Sequence, residues 1–189
     1  MTAEPDAFRR NRTAYRIAEP LITFHHAVVR PESAQLSRRR GAAQVWERSR
    51  ATFLSKVVGP HFERLCREWV EWHAEPATFG GMPIQVAAGT VADPEARTRH
   101  ELDVVVHGAV GQDQGILLSV GEAKWHKRMG VEHLARLRRV LRLLEARGID
   151  TARARPACYS GAGFTSDLHA AEARGEVVLV DLERLYTES

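Results

Sequence analysis

Three side chains in this sequence have the types and spacing for hydrolysis of a phosphodiester. Asp103, in "ELDVVV", is a carboxylate; Glu122 and Lys124, in "VGEAKW", are a carboxylate and an amine two residues apart. Magnesium-assisted hydrolysis takes hard oxygen ligands, usually one or two carboxylates, with water and phosphate completing the octahedron. It also takes positive charge near the attacking water or the charge developing on phosphorus. Asp103 and Glu122 can supply the ligands and Lys124 the charge. Glu63, in "FERLCREWV", is a further acid on the segment that precedes them.

These residues need elements that bring them together. Arg99 to Trp125 reads as two strands joined by a polar, glycine-containing turn, with Asp103 at the start of the first and Glu122-Ala123-Lys124 ending the second. Strand side chains alternate between faces, so Glu122 and Lys124 share one face and Ala123 takes the other. An acid and a lysine on one face of an apolar strand are costly unless they have a partner or a task. Upstream, Ala43 to about Ala74 is helical, with Val57, Phe62, Leu65, Cys66, Trp69 and Val70 at three- and four-residue steps. Gly59-Pro60 divides that stretch. "EPATFGGMP" is a break, "IQVAAGTV" a strand and "DPEARTR" a loop.

Downstream, Val131 to about Arg147 is a helix with a seam of Val131, Leu134, Leu137, Leu141 and Leu144, closed by Gly148. "RARPACYS" is a strand that Pro156 makes an edge or irregular one. Thr165 caps a short helix, "EVVLVDL" is the last strand, and "ERLYTES" is a tail helix. The order is helix, three strands, helix, strand, helix, strand. It implies an α/β fold with a mixed sheet flanked by helices. Residues 13–29 read as a short strand running into a helix, with Pro20 in its first turn and Pro31 ending it. Residues 1–45 are therefore expected to form an N-terminal strand-helix appendage, and residues 46–189 the main domain.

Composition narrows the setting. A chain of 189 residues holds one good core, or one domain with an appendage. Its two cysteines, Cys66 and Cys158, sit far apart in apolar segments, as buried thiols in a reducing cytoplasm do. No run is long and apolar enough for a membrane span, and no apolar signal core opens the chain. The histidines and cysteines show no zinc-ligand spacing, and Ser160 and Ser166 lack a nucleophile-elbow context. Arginines cluster at Arg9, Arg10 and Arg12, at Arg38 to Arg40, and at Arg136, Arg138, Arg139 and Arg142. They suit phosphate contacts, but on charge alone solvated helix faces are the better account of them.

The placement of Asp103, Glu122 and Lys124 resembles the PD-(D/E)xK, or restriction-endonuclease-like, nuclease superfamily. In that superfamily an acid on the second strand and (D/E)xK on the third follow a helix that often carries another acid, here Glu63. The resemblance runs from about Ala51 to Val180. A closer one spans nearly the whole chain. The blocks "YRIAEPLITFHHAVVRP", "GPHFERLCREWV", "ELDVVV", "VGEAKW", "SGAGFTSDL" and "VVLVDLERL" look like the nuclease-like C-terminal region of archaeal-type P-loop ATPases. There that region follows an ATPase domain and a winged helix. No Gly-x-x-x-x-Gly-Lys-Ser/Thr occurs here, and Leu102 stands where the superfamily often has proline.

The resemblance implies a restriction-endonuclease-like core in α-β-β-β-α-β order and Mg²⁺ or Mn²⁺ at Asp103 and Glu122. It gives Lys124 the water, Glu63 a supporting role, and DNA as the partner, with Arg99, Lys127, Arg136 and Arg139 on its phosphates. It also makes residues 1–45 the remnant of a winged-helix end plus a linker helix, and an ATPase a partner or a lost domain. The rivals are a non-catalytic DNA-binding or regulatory domain and a protein-interaction module whose charges only knit the sheet end together.

Overall fold

The polar start of the chain forms a hairpin. β1 (Thr2–Asp6) pairs antiparallel with β2 (Arg9–Arg16), a strand that begins earlier than the apolar pattern from Thr13 suggests. The computed structural model describes residues 2–38 and 40–187; Arg39 of the basic run and the last two residues of the tail lie outside the described residues. α1 (Pro20–Phe24) starts as its proline predicts, with Glu19 capping the Leu21 N–H, and widens into a π-helical turn at His25–Val29. α2 (Ser33–Leu36) is a single turn in the expected connector.

Helix then runs without a break through Gly59-Pro60. α3 (Gly41–Phe53) passes through a π-helical segment at Leu54–Val58 into α4 (Gly59–Trp72). Pro60 has no N–H to donate, and its ring crowds the carbonyl four residues back. The chain meets this with a widened turn instead of an end: Gly59 N–H reaches back five residues to the Leu54 carbonyl. α5 (Pro76–Phe79) is a short helix inside the expected break, ended by Gly80 at φ 73°.

β3 (Met82–Asp93), β4 (Thr98–Val110) and β5 (Asp113–Lys124) form an antiparallel meander. α6 (Val131–Glu145) crosses over to β6 (Arg155–Ser160), which lies parallel to β5. α7 (Ser166–Ala173), capped by Thr165 as expected, leads to β7 (Val178–Val180), and α8 (Leu182–Tyr186) follows. The result is a mixed seven-stranded sheet in the order β2-β1-β3-β4-β5-β6-β7. β6 is therefore internal, not an edge. Pro156 is tolerated because β7 begins pairing only at Ala157, one residue past it.

Helices cover both faces. On one, Phe62, Cys66, Trp69 and Val70 of α4 meet Val104, Val106, Leu118 and Tyr159. On the other, Leu134, Leu137, Val140 and Leu144 of α6 meet Leu102, Val105, Val120 and Cys158. The α6 seam is turned relative to its expected phase. Val131 is 47% exposed, while His133 and Val140 are buried, because the helix presents its 133–134–137–140–144 stripe to the sheet. Both cysteines are buried and free, and burial pushes the Cys158 thiol up to about 12. The N-terminal hairpin continues the sheet through a parallel bridge from β1 to β3 at Asp6 and Ala88. Phe8 lies against Gly89, where an added Cβ would come within 2.9 Å of its ring. No helix among the described residues is long and apolar enough to cross a membrane.

Candidate functional site

Asp103 lies in the interior of β4, not at its start, because β4 begins at Thr98 and its first residues pair with β3 alone. Pairing with β5 starts next door, at Val104 opposite Gly121. That places Asp103 where β5 runs past its last partner, opposite Glu122 in the continued register. The Asp103 carboxylate accepts the Ala123 N–H at 2.8 Å, and its main-chain carbonyl accepts from Arg67 of α4 at 2.8 Å. Alternation along β5 holds as expected: Ala123 packs into the core under α4, while Glu122 and Lys124 interact with each other.

Lys124 joins the two acids. Its Nζ is 3.1 Å from Glu122 Oε1 and 3.6 Å from Asp103 Oδ2. Glu122 is buried and also receives Arg136 at 2.6 Å and His133 Nδ1 at 3.2 Å, both from α6. Burial pushes the Glu122 carboxyl up, but Lys124 and Arg136 outweigh it, so it sits below its ordinary value and is ionised at neutral pH. Burial would lower the Lys124 amine, yet Asp103 and Glu122 hold it above its usual value. It is a cation, not a base. Asp103 goes the other way: burial pushes it up, and Lys124 and the Ala123 N–H recover only part of that.

Glu63, on α4, lines a cavity of about 210 Å³ together with Asp103, Glu4, Asp6, Glu101 and Arg16. Burial and the charge of Asp103 raise its carboxyl to about 7, against the pull of Arg16, Arg67 and Lys124. Arg16 approaches it at 3.5 Å and Glu4 at 3.0 Å, and Arg67 bonds Glu4 at 3.2 Å. A cavity wall thus comes from the N-terminal hairpin.

Searches of protein-family models and of curated proteins find no match. One solved structure, the crystal structure of a protein of unknown function, AF1548, is similar over 69% of this chain and 59% of that one. The two are 16% identical, with a TM-score of 0.39, a likeness too low to carry an argument.

The four basic residues expected on phosphate divide. Arg99 and Lys127 are exposed. Arg136 is committed to Glu122 and to the Glu101 carbonyl, both at 2.6 Å. Arg139 is held by Asp93 through two bonds and by Glu95 at 3.0 Å, away from the Lys124 centre. Sequence reading missed His133, Arg67, Glu4 and Arg16. His133 carried a signal, a polar residue one step off the leucine seam. Its Nε2 is buried without a hydrogen-bond partner.

As a metal centre the donor set is small. Among the described residues, no group of three or more His, Cys, Asp or Glu side chains is arranged to hold an ion. Two carboxylates converging on one cation are still enough for magnesium, which keeps several waters and takes one or two protein carboxylates plus substrate phosphate. The Asp103 and Glu122 carboxylates are oxygen donors of the kind that ion takes, and binding it would displace Lys124, Arg136 or His133 from a Glu122 oxygen.

Proposed function

We propose that this chain is a metal-dependent nuclease of the PD-(D/E)xK type that hydrolyses DNA phosphodiesters. One observation carries the reading: the Asp103 and Glu122 carboxylates converge on Lys124 Nζ at 3.6 and 3.1 Å, at the end of an apolar strand. Apart from the single-turn α5 between α4 and β3, the order α4-β3-β4-β5-α6-β6, with β5 and β6 parallel, supports a restriction-endonuclease-like core. Asp103 and Glu122 would hold Mg²⁺ or Mn²⁺, which supplies Lewis-acid stabilisation of the phosphate and an acidified water.

The chain's own residues do the rest. Lys124, kept protonated by two carboxylates, orients the attacking water and offsets charge on the phosphate oxygens. Arg136 and His133 fix the Glu122 rotamer from the α6 side. Glu63, raised to about 7, can take or return a proton near neutral pH within the cavity it shares with Asp103.

The test is cleavage of plasmid and branched DNA with Mg²⁺ or Mn²⁺, comparing wild type with Lys124→Ala. Loss of cleavage in the variant supports the enzyme; equal inertness of both sinks it. A second reading, a non-catalytic DNA-binding or regulatory domain related to archaeal-type ATPases, is favoured by the closed shell of Lys124, Arg136 and His133 around Glu122. It expects salt-dependent DNA binding with no cleavage.

A further inference from the structure

Beside the acidic cavity lies a second one of opposite character. A cleft of about 380 Å³ opens between α1, the π-helical turn before α4, and the first turns of α4. It shares Glu4 and Arg16 with the cavity of Glu63 and Asp103, so the two meet at that pair. Around the cavity stand five carboxylates, Glu4, Asp6, Glu63, Glu101 and Asp103, with Arg16. Lining the cleft, Arg16, Lys56, His61 and Arg64 face Glu4 as the sole carboxylate.

The donors of the cleft are partly uncommitted. Ion pairs in this region belong to Arg16, Arg48, Arg64 and Arg67, and none among the described residues takes Lys56, which is exposed. Arg64 donates one Nη to the Ala18 carbonyl and places the other 3.1 Å from His61 Nδ1. A guanidinium cannot accept, so His61 Nδ1 is the acceptor and its proton sits on Nε2 as a further donor. The Arg64 Nε is buried with no hydrogen-bond partner, and Glu68 pairs with it only as an ion pair at 3.5 Å. Ile17, Pro20, Val57 and Pro60 add apolar wall. A polyanion with sugar or base between its charges matches such a lining: phosphate on the cations, the apolar part on the wall.

From this geometry we infer that the cleft is a phosphodiester subsite that takes the nucleic-acid strand flanking the bond held at Asp103 and Glu122. The inference rests on the nuclease reading for its orientation and on the cleft alone for its binding chemistry. The strand leaves the acidic cavity across the Glu4–Arg16 pair, and the next backbone phosphates meet Lys56, His61 and Arg64.

The experiment is fluorescence anisotropy of a labelled single-stranded oligonucleotide, without divalent metal, over a salt series. Full-length wild type is compared with Lys56→Glu and Arg64→Gln, circular dichroism checks the fold, and Mn²⁺ titration follows the metal site. Lys56→Glu should weaken binding roughly tenfold at about 50 mM salt and flatten the log–log salt slope by about one. Arg64→Gln should weaken binding in the same direction, and both variants should take up Mn²⁺ as wild type does. Wild-type affinity and slope in Lys56→Glu would overturn the subsite, as would displacement of the oligonucleotide by millimolar inorganic phosphate, which marks a free-anion site. If wild type neither binds Mn²⁺ nor cleaves, yet binding still depends on Lys56, the nuclease reading fails and the subsite stands. If wild type cleaves and Lys56→Glu changes nothing, the subsite alone falls.

Discussion

Asp93 and Asp103 belong to the same β3–β4 hairpin, and both carboxylates are largely shielded from water, but their surroundings differ in kind. Asp93 receives two bonds from Arg139, the Ala96 N–H at 3.0 Å and His100 at 3.2 Å. These donors hold its carboxyl far below the usual range. Asp103 receives one backbone N–H and a lysine 3.6 Å away, and burial wins, leaving its carboxyl raised. A carboxylate whose donors are complete locks a loop to a helix. One whose oxygens keep lone pairs without a donor is free to take a ligand. The two aspartates therefore separate a structural anchor from a site.

The largest effect that would sharpen this contrast is on activity. Lys124→Ala should reduce DNA cleavage in Mg²⁺ by about 10²–10³-fold, whereas Arg139→Ala, at the Asp93 anchor, should leave the cleavage rate per folded molecule unchanged. Single-turnover assays on branched DNA measure both, and equal losses would erase the distinction.

Next comes pH. Between its ordinary value of 4.5 and about 7, the Glu63 carboxyl keeps in the folded chain a proton that the unfolded chain has released. The folded state binds more protons over that window, so stability falls as pH rises through it. Glu63→Gln should remove that slope and gain about 2 kcal/mol at pH 8, a figure reduced for the side chain's 23% exposure. Urea melts at pH 5 and pH 8 test it.

Asparagine at the two aspartates should then act with opposite signs. Asp93→Asn removes the partner of Arg139 and lowers the melting temperature. Asp103→Asn relieves a shielded, poorly compensated charge and should stabilise by about 1 kcal/mol at pH 8 while abolishing Mn²⁺ uptake in calorimetry. Destabilisation of both would make Asp103 a second anchor. The smallest effects belong to the rim. Lys127→Ala and Arg99→Ala should each weaken oligonucleotide binding about two- to fivefold and flatten the salt dependence, and Arg139→Ala should do neither.

Much of this arrangement was legible in the chain. The two carboxylates and the lysine announce themselves because they interrupt an apolar alternation, which only a site or an ion pair explains. The presence of α6 and α7 follows from periodicity, and the α7 cap from Thr165. What the sequence concealed depends on partners distant along the chain. Arg139 reads as one more helix arginine until Asp93 of β3 closes on it. The first strand carries no apolar alternation, so nothing in it signals that Glu4 will meet Arg67 at the cavity wall. His133 hides because the leucines permit two neighbouring seam phases, and only packing against β5 selects the one that buries it.

The π-helical segment at Leu54–Val58 sets the rotational phase of everything that follows in α4. An α-helix advances about 100° per residue, and a π-helical turn takes up one residue more than an α-helical one before that advance resumes. Deleting one residue from Leu54–Val58 would close the wide turn and press an ordinary helix carbonyl against the ring of Pro60. The extra residue is thus what lets one unbroken helix pass a proline and go on to carry Glu63 to the cavity and Arg64 to the cleft.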